Sequence, residues 1–541
     1  MIVKSQPFQE QKPGTSGLRK SVSIFQQQHY LENFVQAIFD SLPSIEGARI
    51  ALGGDGRYHN SAAIQTIIKM ASANGVAELI VGLNGILSTP AASHIIRKYA
   101  LDGGLVLSAS HNPGGPNGDF GIKYNIQNGG PAPEALTNQI YQRTKTINQY
   151  KIISDFSADL SNPGVYDADN MRITVINTVD DYLELLEGIF DFDLINEYLL
   201  ENELTIAFDA MHAVTGPYAT ALFKKLPAKL DNVLMNAIPL EDFGGGHPDP
   251  SLSHAHDLAE LVMSAGNPVF GGASDGDGDR NMVLGEDCFV SPSDSLAILA
   301  ANAELIPAYR QGLAGVARSM PTSCAVDRVA RKLNIPCYET PTGWKFFGNL
   351  LDAGKITFCG EESFGTSSDH VREKDGLWAV MFWLNLIAAR KQSVKEIVHD
   401  HWQKFGRNAY LRHDYEAIES DDAQALMKAL INKLPNLIGT TIANSKVINA
   451  DEFTYHDPVD QSVSEHQGVR ILLKNESRMI FRLSGTGTQG ATLRVYLEAL
   501  VDNPEQYHQS NAELVKTLAT ASVELAEIER HTGRTSPSVI T

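Results

Sequence analysis

The sequence predicts an α/β protein of several domains, in which helices cover mostly parallel sheets. Its 541 residues exceed the usual domain size of about 100–200 residues and fit three to five domains. Hydrophobic residues make up 43% and charged residues 20% of the chain, as in ordinary globular proteins. Short apolar runs alternate with segments of helical spacing, which is the pattern of buried strands joined by helices.

The predicted elements follow this pattern along the chain. In the first block, strands are predicted at residues 49–54, 78–82 and 104–110, with helices at 62–72 and 91–99. A second block contains strands at 204–209 and 268–272, and a third contains strands at 337–340 and 356–359. The last section differs, with strands of a smaller sheet at 469–473, 479–483 and 492–497 and a closing helix at 511–528. The apolar segment 377–389 is too short to cross a bilayer and is predicted to be a buried helix.

Charge and cysteine content narrow the possible functions. The formal net charge of −20 repels a phosphate polymer, so we expect no nucleic-acid partner. The same field opposes small anions, so a phosphorylated substrate would require cations concentrated at its site. Four cysteines without a CxxC pair indicate a reducing cytosol rather than a disulfide scaffold. The polar first 20 residues lack the apolar core of a signal peptide, and we expect no membrane partner.

The first chemical motif follows an apolar strand directly. The segment reads Leu-Ser-Ala-Ser-His-Asn-Pro-Gly-Gly from residue 107, so that Ser110 and His111 stand at the carboxyl end of the strand. Open α/β sheets bind their ligands at this edge, and Lys123 lies on the next apolar segment. The alternative is a serine that only bonds backbone at a turn, as most loop serines do. The segment is no nucleophile elbow, because positions 108 and 112 are not glycine.

The second motif places three aspartates at alternate positions, Asp275, Asp277 and Asp279. Carboxylates this close repel one another unless they share a cation, and ligands that are all oxygen favour Mg²⁺ or Ca²⁺. An EF-hand is excluded because Arg280 stands where that loop requires glycine, and because the flanking segments read as strands. An acidic solvent loop remains the alternative.

Two further loops combine polar groups with glycine. The segment from Phe358 reads Phe-Cys-Gly-Glu-Glu-Ser-Phe-Gly and is followed by Lys374; taken alone, a polar loop explains it equally well. The segment from Phe481 brings hydroxyls, glycines and two arginines together, which suits phosphate binding. It is no Walker A loop, because Gly-Lys-Ser/Thr is absent from it.

These four motifs together resemble the α-D-phosphohexomutase family, and within it the branch that acts on glucose phosphates. Supporting stretches are Gly-Thr-Ser-Gly-Leu-Arg-Lys from residue 14, Asp-Phe-Gly-Gly-Gly-His-Pro-Asp-Pro from 242, Ser-Met-Pro-Thr-Ser from 319 and Pro-Thr-Gly-Trp-Lys from 341. The resemblance runs in family order over nearly the whole chain. It implies a four-domain, heart-shaped architecture with three similar α/β domains and a smaller C-terminal α+β lid. We place the domains at residues 1–180, 181–292, 293–398 and 399–541.

The resemblance also implies roles for individual residues. Ser110 would carry the phosphoryl group, and one Mg²⁺ per chain would be bound by Ser110 together with Asp275, Asp277 and Asp279. His111, Lys123 and Lys374 would be catalytic, as proton movers, orienters or cations. The residues that would contact the substrate are Arg19, Arg280, Thr342, Gly343, Glu361, Ser363, Lys374, Arg482, Ser484, Thr486 and Arg494.

The expected reaction interconverts α-D-glucose 1-phosphate and glucose 6-phosphate, with glucose 1,6-bisphosphate as the activating intermediate. The nearest alternative is a related mutase for mannose or glucosamine phosphates. Alternatives of another class are a phosphatase and a non-catalytic phosphoprotein. We expect sugar phosphates as small-molecule partners, a cytoplasmic location, and either a monomer or a weak dimer.

Overall fold

The computed structural model describes the chain except Thr15, Glu203 and residues 228–233, 265–268 and 488–489; for residues 485–487 it describes the backbone alone. The chain forms two compact units. The first contains Met1–Val290, Asn302–Ala314 and Gly343–Glu396, and the second contains Ser291–Ala301, Gly315–Thr342 and Ile397–Thr541. Within the described residues, no helix has the length and apolar character needed to cross a membrane.

The first unit begins with a sheet of seven strands whose centre is parallel. In spatial order the strands are Leu18–Ser21, Asp119–Ile126, Gly103–Leu107, Arg49–Gly54, Glu78–Ile86, Met171–Ile176 and Gly164–Ala168. The pairs among the four strands from Gly103–Leu107 to Met171–Ile176 are parallel, whereas both edges are antiparallel. The accompanying helices are Val22–Phe25, Tyr30–Ser41, Asn60–Ala73, Thr89–Lys98 and Glu134–Thr144, and Ile2–Lys4 pairs separately with Gln149–Lys151.

A second sheet of the same unit contains five strands. Their order is Leu234–Met235, Thr205–Asp209, Val269–Ser274, Asn281–Gly285 and Cys288–Phe289. The first two pairs are parallel and the last two are antiparallel. Its helices are Thr178–Glu187, Phe192–Asn202, Thr215–Phe223 and His256–Met263. A hairpin of Phe358–Glu361 and Gly365–Ser368 and the helices Lys345–Asp352 and Gly376–Arg390 complete the unit.

The second unit contains an antiparallel sheet of seven strands. Their order is Thr441–Ile442, Ser445–Glu452, Val469–Leu473, Arg478–Gly487, Gly490–Val501, Arg407–Ile418 and Val539–Ile540. The parallel pair Val316–Ser319 and Cys337–Thr340 and the short hairpin Tyr455–His456 and Val463–Ser464 also belong to it. Its helices are Pro292–Ala301, Ala325–Leu333, Val394–Phe405 (mostly in this unit), Ser420–Lys433, Asn511–Leu514, Lys516–Ala526 and Ile528–Thr532.

Apolar periodicity explains these layers. The central strand Arg49–Gly54 is buried over almost its whole length, as a strand covered on both faces must be. Gly376–Arg390 is buried on every side, which confirms the predicted buried helix. By contrast, Val469–Leu473 alternates between buried and half-buried residues, as expected for an antiparallel strand that packs one face on a core.

The structure corrects three details of the predicted elements. The strand predicted to reach residue 110 ends at Leu107, because the following residues turn into a loop. The predicted closing helix 511–528 is three helices; Glu527 separates the last two in a left-handed conformation with φ of 49°, which continues no α-helix. The last sheet has seven strands rather than the three that the apolar runs indicated. Pro268, at the start of one predicted strand, lies outside the described residues.

Candidate active site

Ser110 lies in the loop between the strands Gly103–Leu107 and Asp119–Ile126 and is buried. Its φ of 52° is uncommon for a residue with a side chain and requires support from its surroundings. The backbone supplies that support, because the Ser110 N–H donates to Ser108 Oγ at 2.7 Å and its carbonyl accepts from Arg57 Nη2 at 2.7 Å. The hydroxyl is therefore presented by a fixed backbone.

The aspartate loop meets this hydroxyl directly. Ser110 Oγ donates to Asp275 Oδ2 at 2.7 Å. Two antiparallel strands hold the loop, with Ser274 opposite Asn281 at its base. A Cβ on Gly276 would lie 2.3 Å from the Ser110 carbonyl oxygen, so only glycine permits this approach. Ser110 and the aspartate loop are therefore in direct contact.

Asp275, Asp277 and Asp279 form a buried cluster in which one carboxylate oxygen of each lies within 4.8 Å of the others. Burial, followed by repulsion from Asp279 and Asp277, raises the pKa of Asp275 well above its ordinary range. Asp277 Oδ1 and Asp279 Oδ1 are buried and lack a hydrogen-bond partner among the described residues. Oxygen atoms left unpaired in this way are costly unless a cation binds them. The cluster therefore fits a hard divalent metal ion.

Two lysines border the cluster. Lys123 Nζ donates to Thr89 Oγ1 at 2.8 Å and lies 3.3 Å from Asp277 Oδ2. Lys374 Nζ lies 2.9 Å from Asp279 Oδ2. Burial alone lowers the pKa of Lys123, but Glu373 and Asp277 outweigh it and leave the pKa above its ordinary value. Lys123 is thus an ammonium group.

Arginines supply the remaining positive charge of this region. Arg280 Nε lies 3.8 Å from Asp275 Oδ2, and its Nη1 lies 3.5 Å from Asp249 Oδ1. Burial lowers the pKa of Arg19, although the negative charges of Asp277 and Asp279 act to raise it. The Nε atom of Arg19 has no hydrogen-bond partner among the described residues. Cations are therefore concentrated here against the negative charge of the whole chain, as the sequence required of a phosphate site.

His111 stands beside the serine with Nδ1 3.5 Å from Ser110 Oγ. Burial, followed by the charges of Arg280 and Arg19, lowers the pKa of His111 far below its ordinary value. The ring is neutral for that reason. A neutral imidazole can accept or relay a proton, whereas the Lys123 ammonium can only donate or neutralise charge.

The predicted sugar loop lies at the end of the strand Phe358–Glu361. Glu361 Oε1 accepts a hydrogen bond from the Gly343 N–H at 2.8 Å, and Ser363 is half-buried. The loop touches the aspartate loop, because the Phe364 carbonyl accepts from the Asn281 N–H at 3.0 Å. Thr342 belongs to the second unit, where its hydroxyl is buried without a hydrogen-bond partner among the described residues.

The predicted phosphate loop belongs to the second unit. Arg482 and Arg494 stand directly opposite each other on paired strands, and Ser484 faces Thr492 two residues further on. Like charges on directly opposed residues repel each other. Asp414 offsets only part of this positive charge, since its Oδ2 lies 3.7 Å from Arg494 Nε. The Thr486 side chain lies outside the described residues. Two opposed arginines with hydroxyl groups nearby are an arrangement that can bind an anion.

Several residues of the first unit were missed by the sequence analysis. Arg57 forms a fully buried ion pair with Asp55 at 2.8 Å and donates to the carbonyls of Ser110 and Asp119 at 2.7 and 2.9 Å. Thr89 donates to Asp277 Oδ2 at 2.6 Å. The only local signal for Arg57 was a charged residue shortly after a glycine-ended strand.

Asp375 fixes the backbone next to Lys374. Its carboxylate accepts from the N–H of Trp378 at 3.0 Å, capping the helix Gly376–Arg390. It also accepts from Tyr182 Oη at 2.6 Å and faces His370 Nε2 at 3.0 Å. Because Asp375 is completely buried, these bonds leave its neighbour Lys374 little freedom to move away from Asp279.

Family models cover almost the entire chain. The α/β/α domains I, II and III of phosphoglucomutase/phosphomannomutase match residues 10–151, 180–288 and 292–405. The C-terminal domain of phosphoglucomutase-1 matches residues 407–538. The fold is therefore three α/β domains followed by a C-terminal domain.

Individual proteins are similar over their whole length. Phosphoglucomutase of Rhizobium radiobacter is 56% identical over 539 residues, covering 100% of this chain and 99% of the relative. Phosphoglucomutase-1 of Oryctolagus cuniculus is 50% identical over 559 residues with the same coverage. The solved open form of pp63/parafusin, a phosphoglucomutase from Paramecium, superimposes with a TM-score of 0.93 at 47% identity, covering 100% of this chain and 99% of that one. The chain therefore belongs to the phosphoglucomutase group of the α-D-phosphohexomutase family.

Proposed function

We propose that this chain interconverts α-D-glucose 1-phosphate and glucose 6-phosphate through a phosphorylated Ser110 and a glucose 1,6-bisphosphate intermediate. The observation that carries the proposal is the 2.7 Å contact between Ser110 Oγ and Asp275 in a buried cluster of three aspartates. Similarity to phosphoglucomutases at 50–56% identity over the full length supports glucose phosphates as the substrates.

In this proposal the phosphoryl group passes from Ser110 Oγ to the free hydroxyl of glucose 1-phosphate. The other phosphoryl group of the resulting bisphosphate then returns to Ser110, leaving glucose 6-phosphate. The backbone bonds from Arg57 and to Ser108 keep the serine oxygen in one place through both steps. Positioning of this kind is the main contribution that a protein makes to phosphoryl transfer.

Asp275, Asp277 and Asp279, with an oxygen on Ser110, would hold one Mg²⁺. The ion would offset the charge that spreads over the phosphoryl oxygens. The chain adds its own cations, since Arg19, Arg280, Lys123 and Lys374 lie around the same cluster.

The substrate hydroxyl that attacks the phosphoryl group must lose its proton as the new O–P bond forms. We assign this transfer to His111, whose Nδ1 lies 3.5 Å from Ser110 Oγ. Lys123 and Lys374 act as orienting cations, because both are held by carboxylates. A base so close to the serine oxygen can serve both directions of the reaction.

The ring and the second phosphate require contacts beyond the serine. Thr342, Gly343, Glu361 and Ser363 would bind the sugar hydroxyls. Arg482, Ser484, Thr486 and Arg494 would bind the phosphate that is not being transferred. The bisphosphate must present either end to Ser110, so the site would have to accept the sugar in two approximately equivalent poses.

A cytoplasmic location fits the four cysteines, none of which forms a disulfide bond with another described residue. The acidic chain would act on small sugar phosphates as a monomer or a weak dimer, without nucleic acid or membrane.

The test follows the phosphoryl group and the product together. The protein is incubated with Mg²⁺, glucose 1-phosphate and a trace of glucose 1,6-bisphosphate, and glucose 6-phosphate and inorganic phosphate are measured. Intact-mass analysis after bisphosphate treatment should show one added phosphoryl group, absent in Ser110→Ala and present in Ser157→Ala, a change at an exposed serine of the same unit. Inorganic phosphate without isomerisation would indicate a phosphatase, and no turnover would indicate a phosphoprotein. A higher kcat/KM for mannose or glucosamine 1-phosphate would indicate a related mutase.

A further inference from the structure

A second cluster of metal-ligating side chains lies in the loop that precedes the helix His256–Met263. One ring nitrogen each of His247 and His254 and one carboxylate oxygen of Asp249 lie within 4.8 Å of one another. The two imidazole rings stack at 4.5 Å between centroids with 16° between their planes. His254 Nδ1 lies 3.7 Å from Asp249 Oδ2. The cluster comes from a conspicuous stretch of the sequence that the proposed reaction does not use.

Tight turns hold these side chains together. The Asp249 N–H donates to the His247 carbonyl at 2.8 Å, and the Ser251 N–H donates to the Asp249 carbonyl at 2.8 Å. The His254 N–H then donates to the Ser251 carbonyl at 3.1 Å, while its ring Nδ1 is 3.0 Å from Ser251 Oγ. The convergence is therefore a property of the backbone rather than of three long, mobile side chains.

The donor set differs from that of the aspartate cluster. Imidazole with carboxylate suits Zn²⁺, Co²⁺ and similar ions, whereas oxygen ligands alone suit Mg²⁺. Metal binding requires imidazole in its neutral form. His247 Nδ1 is also buried without a hydrogen-bond partner among the described residues, so one polar atom of the cluster still lacks an interaction.

The ligand atoms need only a small movement to coordinate an ion. Zn–N bonds of about 2.0–2.1 Å place tetrahedral ligands about 3.4 Å apart, against separations of up to 4.8 Å here. His254 can supply that movement, because its side chain is 37% exposed and its ring contacts, Ser251 and His247, belong to the same loop. Three protein ligands would leave a fourth position for water.

We propose that His247, Asp249 and His254 form a second metal site that takes Zn²⁺ or Co²⁺ in preference to Mg²⁺. The site is coupled to the aspartate loop by two contacts. Asp249 Oδ1 lies 3.5 Å from Arg280 Nη1, and the Gly276 N–H donates to the Pro248 carbonyl at 3.2 Å. An ion that draws the Asp249 carboxylate away from Arg280 alters the charge beside Asp275.

The test uses tag-free, full-length protein in excess Mg²⁺, titrated with Co²⁺ and followed by visible absorption. A tetrahedral site with nitrogen ligands absorbs strongly, and an octahedral oxygen site absorbs weakly. We expect a strong band that saturates at one Co²⁺ per chain in the wild type. Loss of an outer-shell partner already weakens metal affinity about 10–100-fold, so His254→Gln should weaken Co²⁺ binding at least as much.

The matched control is His256→Gln, two residues along the same chain, where the side chain is 74% exposed. This variant should bind Co²⁺ as the wild type does. The proposal would be overturned if His254→Gln bound Co²⁺ with the affinity of the wild type. It would also be overturned if His254→Gln and His256→Gln lost Co²⁺ affinity to the same extent. Asp249→Asn provides a second variant that keeps both histidines, and an unchanged Co²⁺ band in it would also count against the site. Unchanged thermal unfolding of each variant without Co²⁺ shows that any loss of binding is local.

Discussion

Replacing Arg57 by methionine should destabilise the first sheet and the loop that carries Ser110. Arg57 and Asp55 form an ion pair in which both side chains are fully buried. The guanidinium also donates to the carbonyls of Ser110 and Asp119. Methionine fills a similar volume but leaves the Asp55 carboxylate without its counter-charge and two carbonyls without their donor.

Removal of one partner from a buried ion pair costs about 3–5 kcal/mol. Because about 1.4 kcal/mol corresponds to a factor of ten, the opening equilibrium of the sheet should rise by roughly 10²–10⁴-fold. The pair Arg49–Glu78 provides the comparison, since Arg49 begins the strand that ends just before Asp55, but the Arg49 side chain is 43% exposed. Exposed pairs contribute about 0–1 kcal/mol, so Arg49→Met should change the opening equilibrium by less than tenfold.

The effect of Arg57→Met should also depend on pH. Burial raises the pKa of Asp55 even in the intact pair, and the Arg57 charge opposes that rise. Without Arg57 the folded-state pKa rises further above the unfolded value. A carboxyl group whose pKa is raised in the folded state does not lower the free energy of unfolding at a pH below its unfolded-state pKa. It lowers that free energy increasingly as the pH rises towards the folded-state pKa. The destabilisation should therefore be larger at pH 7 than at pH 5.

Hydrogen exchange of peptides covering the strands Arg49–Gly54 and Gly103–Leu107 measures this opening directly. Arg57→Lys, which keeps the charge but not the forked geometry, should fall between the wild type and methionine. The reasoning would be refuted if Arg57→Met and Arg49→Met exchanged at similar rates, or if the effect of Arg57→Met were independent of pH.

The remaining predictions concern the reaction. Arg494→Ala should raise KM by about 10–150-fold, as expected for a lost charged hydrogen bond of about 1.5–3 kcal/mol, with a smaller effect on serine phosphorylation; Arg412→Ala, which removes another partner of Asp414, is the control, and an unchanged KM would exclude Arg494 from the site. Lys123→Met should lower kcat by about 10²–10³-fold with little change in KM, and a variant that altered KM alone would contradict the orienting role. Asp277→Asn should abolish Mg²⁺-dependent activity, which excess Mg²⁺ should not restore; calorimetric Mg²⁺ titration equal to wild type would disprove the ligand assignment.

Candidate site residues that belong to a short local sequence pattern could be identified from the sequence. Three aspartates within five positions of a glycine-rich loop, and a serine directly after an apolar strand, are visible without knowledge of the fold. The sequence also predicts that Ser110 stands at the carboxyl end of its strand, the edge at which open α/β sheets bind their ligands. The contact between Ser110 and Asp275 joins residues far apart in the chain, and only the resemblance to a family placed them together in advance.

Residues whose roles depend on distant neighbours were not predictable in this way. Thr89 begins an ordinary helix, and only the fold brings its hydroxyl to Asp277. Glu373 reads as one charge in a polar loop, yet it is buried 3.7 Å from Lys123. The end of a helix was missed for a similar reason. Glutamate has a good helix propensity, yet Glu527 adopts a left-handed conformation and forms an ion pair with Lys433. Tertiary contacts override local preference at such positions.

The bonds around Asp375 have a consequence for how this protein can fail. Tyr182, on the helix Thr178–Glu187, is a core residue with no contact to the aspartate cluster among the hydrogen bonds that the structure describes, yet it donates directly to the carboxylate that borders Lys374. A substitution there could leave the overall architecture intact and still displace a cation from Asp279. Inherited or engineered substitutions at such interior positions would then lower activity as substitutions of active-site residues do. A search limited to the residues around the aspartate cluster would miss their cause.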